Sequence, residues 1–294
     1  MGSYPNIIPK IFSENSLFIM CKISIKEGVA VMSIKFSKGY MISGRDFKLT
    51  DSITLHHPDL NEIFNINNGF MSEQIYWSYV SSLMCDPYTH MVMLDDVGKR
   101  FMDTTPFEVL ILLLKNKGQE DVDIYLDMIN KALELFIVEK HEFVLTQFED
   151  GQYCLFDINN PSCRIYEDIF NCIYEWLITV NKIDSSKKLN IKDDNSYMVL
   201  IDDARREQKK AKRNKDKRKK DEGKEFFGNL MSSICFGGNG SASPFNIMDY
   251  KIYWLLEAQS VIARKQHSDN LYRGIYGGTI SSKDIKREDL DWMN

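Results

Sequence analysis

The chain has 294 residues, of which 44 % are hydrophobic and 12 % aromatic, and it carries a net charge of −5 at pH 7. That length and apolar content support one large or two modest cores and argue against a disordered chain. Six cysteines without a C-x-x-C pair, and no apolar run near the ~20 residues of a membrane span, argue against a disulfide scaffold and a spanning helix.

The N-terminus shows no basic–apolar–small pattern of a signal peptide, so the expected compartment is a reducing cytoplasm. Along 15–55, "LFIMCKISI" and "GVAVMSIKF" flank a "KEG" turn and predict a β-hairpin. "SITLHH" reads as a short extended piece; Pro58 breaks it and Asp59 starts a turn of helix. "SEQIYWSYVSSLM" (72–84) sets Ile75, Tyr76, Tyr79, Leu83 and Met84 at helical spacing. "HMVML" (90–94) reads as a strand and "DDVG" as the turn after it. In "TTPFEVLILLL", Thr105 at the N-cap, Pro106 at N1 and Glu108 at N3 form a capping box. The near-continuous apolar run to about Lys117 predicts a helix buried on most sides.

A helix over 120–136 follows, then three β-type runs over 135–157, "LFIVEK", "HEFVLTQF" and "QYCLFDI", which read as a meander. A second long helix is expected from a Ser162 cap, with Ile165, Ile169, Cys172, Ile173, Trp176, Leu177 and Val180 on one face. Cys163 and Cys172, in or beside it, read as small apolar core residues. Beyond the polar loop 184–196 lies "RREQKKAKRNKDKRKK" (205–220). Eleven of its sixteen residues are basic and two acidic, a charge of +9, which leaves −14 on the rest of the chain. A short amphipathic helix ends at Phe236, 237–246 is a Gly/Ser linker, and a last helix starts at about Ile247.

The fold class expected is α+β, mostly helical, in three parts. Residues 1–196 form a helical body with small β elements, 197–236 a charged helical connector, and 237–294 a linker with a helical C-terminal module. No motif carries chemistry. "GGNGSAS" lacks the Lys of a phosphate loop. His56, His57, Asp59, His90, Asp95 and Asp96 lack metal-ligand spacing, and adjacent His56 and His57 would point to opposite faces of a strand. Neither a catalytic set, a cofactor nor a metal is implied, and the chain reads as non-enzymatic.

The basic run, with Arg205, Arg206, Lys209, Lys210, Lys212, Arg213, Lys217 and Arg218, admits three readings: a solvated helix facing acidic surface, a phosphate grip on nucleic acid, or contact with an anionic membrane. It contains no aromatic residue for base stacking.

Several segments in order resemble a family of tailed-bacteriophage proteins from low-GC hosts. They are "LTDSITLHHPDLNEIF", "IYWSYVSSLMCDPYTHMVMLDDVG", "TTPFEVLILLL", "LIDDARREQKKAKR", "NLMSSICF" and the stretch from "IMDYKIYWLLEAQ" to "EDLDWM". The family comprises tail assembly chaperones and baseplate-hub accessory proteins. The resemblance implies assembly or structural work in the host cytoplasm or the virion tail, with length-determining, hub or tube proteins as partners, or further copies of the chain. It makes the basic run a spacer and the C-terminal module, with Tyr250, Tyr253, Trp254, Leu256 and Trp292, a partner-binding or oligomerising element. The alternative is a nucleic-acid-binding protein gripping through 205–220.

Overall fold

The computed structural model describes residues 19–26, 29–116, 119–148, 151–183, 191, 193–218, 226–237, 242–281, 283, 285–286 and 290. The fold is mostly helical α+β, with three small antiparallel sheets of two or three strands among the described residues.

Strands β1 (Ile19–Lys26) and β2 (Val29–Phe36) form the expected hairpin, with Ile19 opposite Phe36 and Lys26 opposite Val29. Helix α1 (Lys38–Ser43) follows at once. The Ser37 hydroxyl accepts from the Tyr40 N–H at 3.2 Å, and Gly44 closes the helix at φ 63°. Strands β3 (Phe47–Lys48) and β4 (Thr54–Leu55) pair across a tight turn. Asp59 and Glu62 then make a reciprocal capping box for α2 (Leu60–Asn65).

Helix α3 (Ser72–Leu83) lies where the spacing places it, burying Tyr76, Val80 and Leu83. The segment 90–94 is a correction. It is not a strand but the start of helix α4 (Met91–Asp96), with Met91, Val92 and Leu94 buried. Four consecutive apolar residues fit either period, and packing chose the helix. Asp95 and Asp96 join the helix, and the turn survives at its expected Gly98 with φ 74°. Helix α5 (Pro106–Lys115) has both bonds of the Thr105–Glu108 box and buries Phe107, Val109, Leu110, Ile111 and Leu114.

Helix α6 (Gln119–Phe136) absorbs the first expected β-run. Tyr125, Ile129, Ala132, Leu133 and Phe136 keep a helical period to the end, so only Ile137 is left to bridge Leu55. The meander is therefore β5 (Phe143–Gln147), β6 (Tyr153–Asp157) and β7 (Arg164–Ile165), in that order. Ile165 pairs with Leu155, which forbids a helix from Ser162. Helix α7 instead runs Glu167–Val180 from an extended Tyr166, and the Ser162 hydroxyl turns to Asn160 Oδ1 at 2.6 Å.

Helix α7 is the centre of the core. Trp176 is fully buried, meets Phe36 edge-on at 4.9 Å and donates its indole N–H to the His56 carbonyl at 2.8 Å. Helices α8 (Asp194–Arg218), α9 (Phe226–Phe236) and α10 (Ile252–Tyr276) complete the chain. The expected part boundaries are not breaks in the core. Tyr197 and Ile201 of α8, Phe227, Leu230 and Ile234 of α9, and Ile252, Leu255 and Leu256 of α10 join one cluster with the body.

Candidate functional site

The expected partner-binding aromatics are brought together, but inward. Tyr253 and Leu256 are 6 % and 7 % exposed, and Tyr250 and Trp254 pack partly buried against the same core. Tyr250 and Trp254 meet edge-on at 5.9 Å. The backbone explains the placement. The Leu60 N–H donates to the Tyr250 carbonyl and the Ile252 N–H to the Pro58 carbonyl, each at 3.0 Å, so the root of α10 is tied to the start of α2. Trp254 also covers Gly44, where a Cβ would fall 2.6 Å from Cζ2 of its ring. These four residues anchor the helix to its own chain; Trp292 lies outside the described residues.

One carboxylate on α10 holds three cations. Glu257 pairs with Lys38 at 2.6 Å, Lys182 at 2.5 Å and Arg264 at 3.5 Å. Burial alone would raise the Glu257 carboxyl, but the Lys182 and Lys38 ammonium groups outweigh it and hold it below the usual range. Lys182 takes φ 50° just after α7, a position that favours glycine. Its ammonium reaches both Glu257 and the Ser260 hydroxyl, the latter at 2.9 Å.

The basic run lies on the outer part of α8. The helix is rooted where Tyr197 stacks on Phe101 at 5.5 Å under the Arg100 guanidinium, with Ile201 buried. Arg205 then reaches Asp95 and Asp96 of α4 at 2.7 and 2.6 Å, so this aspartate pair receives the first cation of the run. Beyond it, Arg206, Lys209, Lys210 and Arg213 are exposed. Arg206 pairs with Asp203 and Lys210 with Glu207, both within the helix. The side chains of Lys212, Lys217 and Arg218 lie outside the described residues.

A grouping that the sequence search did not single out is His141, Asp157 and Cys163, whose ligand atoms lie within 4.8 Å of one another. His141 Nδ1 faces Asp157 Oδ2 at 2.7 Å, and Nε2 faces the Ser52 carbonyl at 2.9 Å. Each ring nitrogen is thus directed at an acceptor, and Cys163 Sγ lies 4.0 Å from Nε2. Burial pushes the Cys163 thiol up, against a hydrogen bond with Ser52. For Asp157, burial is outweighed by His141 and by the Asn159 and Glu142 N–H groups, which hold its carboxyl low. The trio is a clamp joining the meander to the 50–54 turn. Sequence could not place it, because the three residues are not spaced as a motif.

Two further histidines have contrasting settings. His56 bridges Asp46 and Glu62, each at 2.9 Å. His57 is fully buried between Trp176 and Tyr253, and neither ring nitrogen has a hydrogen-bond partner among the described residues.

A cleft of about 800 Å³ lies between α5, the start of α7 and the β5–β6 turn. Phe107, Ile111 and Leu112 form its apolar side. Its two lysines are engaged: Lys99 with Glu108 at 2.8 Å, and Lys115 over the Tyr153 ring at 3.9 Å. Glu167 and Asp168 are exposed at the rim, and Asn171 lines the wall with a buried side-chain oxygen lacking a hydrogen-bond partner among the described residues. The linear sequence gave no sign of this cleft, since its lining comes from four separate segments. Comparison with known proteins found no family model, no curated protein and no solved structure that matches the chain.

Proposed function

We propose that the chain is a non-enzymatic assembly or structural protein that works through protein–protein contacts, of the tailed-phage tail or baseplate type that its segment order resembles. The observation that carries this is a pair of 25-residue helices, each fixed at one end. Helix α8 is held through Tyr197, Ile201 and Arg205, and α10 through Ile252–Leu256. Each would extend about 37 Å in all. The outer part of α8 shows basic side chains to solvent, and that of α10 shows the stacked pair Tyr272 and Tyr276, the latter 86 % exposed. Arms of this kind suit docking on partners. The partners proposed are length-determining, hub or tube proteins, met in the host cytoplasm or retained in the virion tail. Among the described residues, no helix is long and apolar enough to cross a membrane.

The chemistry of the buried groups favours a non-catalytic reading. Burial pushes the Cys85 thiol up to about 12 and also raises Cys154, and the His141 ring is occupied on both sides. A second reading, nucleic-acid binding, is favoured by the exposure of Lys209 and Arg213, which have no ion-pair partner among the described residues.

The experiment is a nuclease-treated pull-down of the tagged chain from infected cells, repeated with 205–220 neutralised. Nuclease-insensitive recovery of tail proteins supports assembly. Loss of every partner on nuclease treatment, or a steep fall in binding between low and moderate salt, gives the nucleic-acid reading instead.

A further inference from the structure

The chemistry left unused in the α5–α7 cleft is one-sided. Its cations are taken up inside the cleft, whereas Glu167 and Asp168 have no ion-pair partner among the described residues, one Asp168 oxygen accepting from the Ile169 N–H at 2.8 Å. The Asn171 oxygen adds a buried acceptor without a donor, at a wall continuous with Phe107 and Ile111. Acceptors and negative charge above an apolar floor match one kind of side chain, a long aliphatic stem ending in a cation. The outer face of α8 offers such side chains. Lys209 and Arg213 stand four residues apart on one face and are exposed. The Arg205 clamp on Asp95 and Asp96 fixes the root of the arm, leaving both side chains pointing away from any ion partner in their own chain among the described residues.

We propose that the cleft receives the basic half of α8 from a second copy of this chain. The inference rests on the assembly reading and names one partner for it. Lys209 or Arg213 lays its stem on the apolar side of the cleft and donates to the exposed Glu167 and Asp168. Arm and cleft are different surfaces, so the contact is head-to-tail. It closes into a ring, or a reciprocal pair, or continues as a filament, according to the rotation between copies. A cleft of about 800 Å³ holds a small contact, so association is concentration-dependent and falls with salt.

The test uses the full chain and two charge-reversed variants, K209E/R213E in the arm and E167K/D168K at the rim, all at exposed positions. Native-like circular dichroism and a cooperative melt, at a lower Tm for E167K/D168K in the first turn of α7, confirm that both variants fold. Sedimentation velocity at low salt should show self-association of the native chain and its loss in each variant alone. Mixing the two variants should restore association, since one keeps the arm and the other the cleft. A labelled peptide of residues 203–218 should bind the native chain and bind E167K/D168K at least tenfold more weakly. A monomer at every concentration, or peptide binding indifferent to E167K/D168K, overturns the inference. If tail proteins are still recovered from infected cells in that case, the assembly reading stands and only the cleft's occupant is wrong.

Discussion

His57 should impose an acid-sensitive limb on stability, and the structure fixes its sign. The ring is wholly buried, lacks a hydrogen-bond partner among the described residues, and faces Trp176 and Tyr253 at 6.0 and 6.2 Å. Burial, with lesser repulsion from Lys251 and His56, lowers its pKa from 6.5 to about 3, against a small opposing pull from Glu62. The unfolded chain therefore takes up a proton that the folded chain refuses. Stability from this site is full above pH 6.5 and falls as pH drops from 6.5 towards 3, by about 1.4 kcal/mol per unit. At pH 5.0 the loss is about 2 kcal/mol, before the carboxylates Glu62, Asp157 and Glu257 reach their own depressed range. His56 acts oppositely. Burial lowers its pKa, but Glu62 and Asp46 outweigh that and raise it, so its contribution is full below pH 6.5 and lost as pH rises through the raised value. The perturbation is His57→Phe, with His57→Leu as a smaller second variant. Urea unfolding followed by tryptophan fluorescence, with constant m, should show the advantage of the variant over the native chain growing by about 2 kcal/mol between pH 7.5 and 5.0. A difference that is the same at both pH values would refute the reasoning.

Three other substitutions probe named contacts. Asp157→Asn puts an amide where a buried carboxylate faces His141 Nδ1 and accepts from the Glu142 and Asn159 N–H groups, and should cost about 1–3 kcal/mol, read as a fall in the urea midpoint. Gly44→Ala combines φ 63° with a Cβ 2.6 Å from the Trp254 ring, so it should cost more than about 1 kcal/mol and change the fluorescence of that indole. Thr105→Ala removes the hydroxyl that caps α5 and should cost about 1 kcal/mol, seen as a lower Tm with the cleft chemistry unaltered.

The elements most legible in the sequence are those with local chemistry. The Thr105–Pro106–Glu108 start, the Asp59 turn of helix and the hairpin were each written in a few adjacent residues. The errors fall where a short apolar run fits two periods. "HMVML" became a helix, and only Leu135 and Phe136 of "LFIVEK" joined the last turn of α6, because core neighbours on α3 and α8 reward one face. Strand β7 was missed because two residues carry no period of their own. The basic run was plain as composition, but its Arg205 clamp needed Asp95 and Asp96 brought from more than a hundred positions away. The aromatics of α10 were correctly grouped and assigned to the wrong side, since hydrophobicity cannot tell a partner's surface from the chain's own core. The cleft and the His141 clamp depend on juxtaposition alone.

The bonds between residues 58–60 and 250–252 also govern the timing of folding during synthesis. The segment that closes the core around Leu60 and His57 is translated long after those two residues. At ~5–20 residues per second, the ribosome needs on the order of 10–40 s to supply it after residue 60 has been made. Until then the core that Ile252, Tyr253 and Leu256 join lacks their side chains. A nascent chain halted before residue 250 is thus an unfinished core rather than a smaller protein, and aggregation or capture by chaperones is the fate its exposed surface selects.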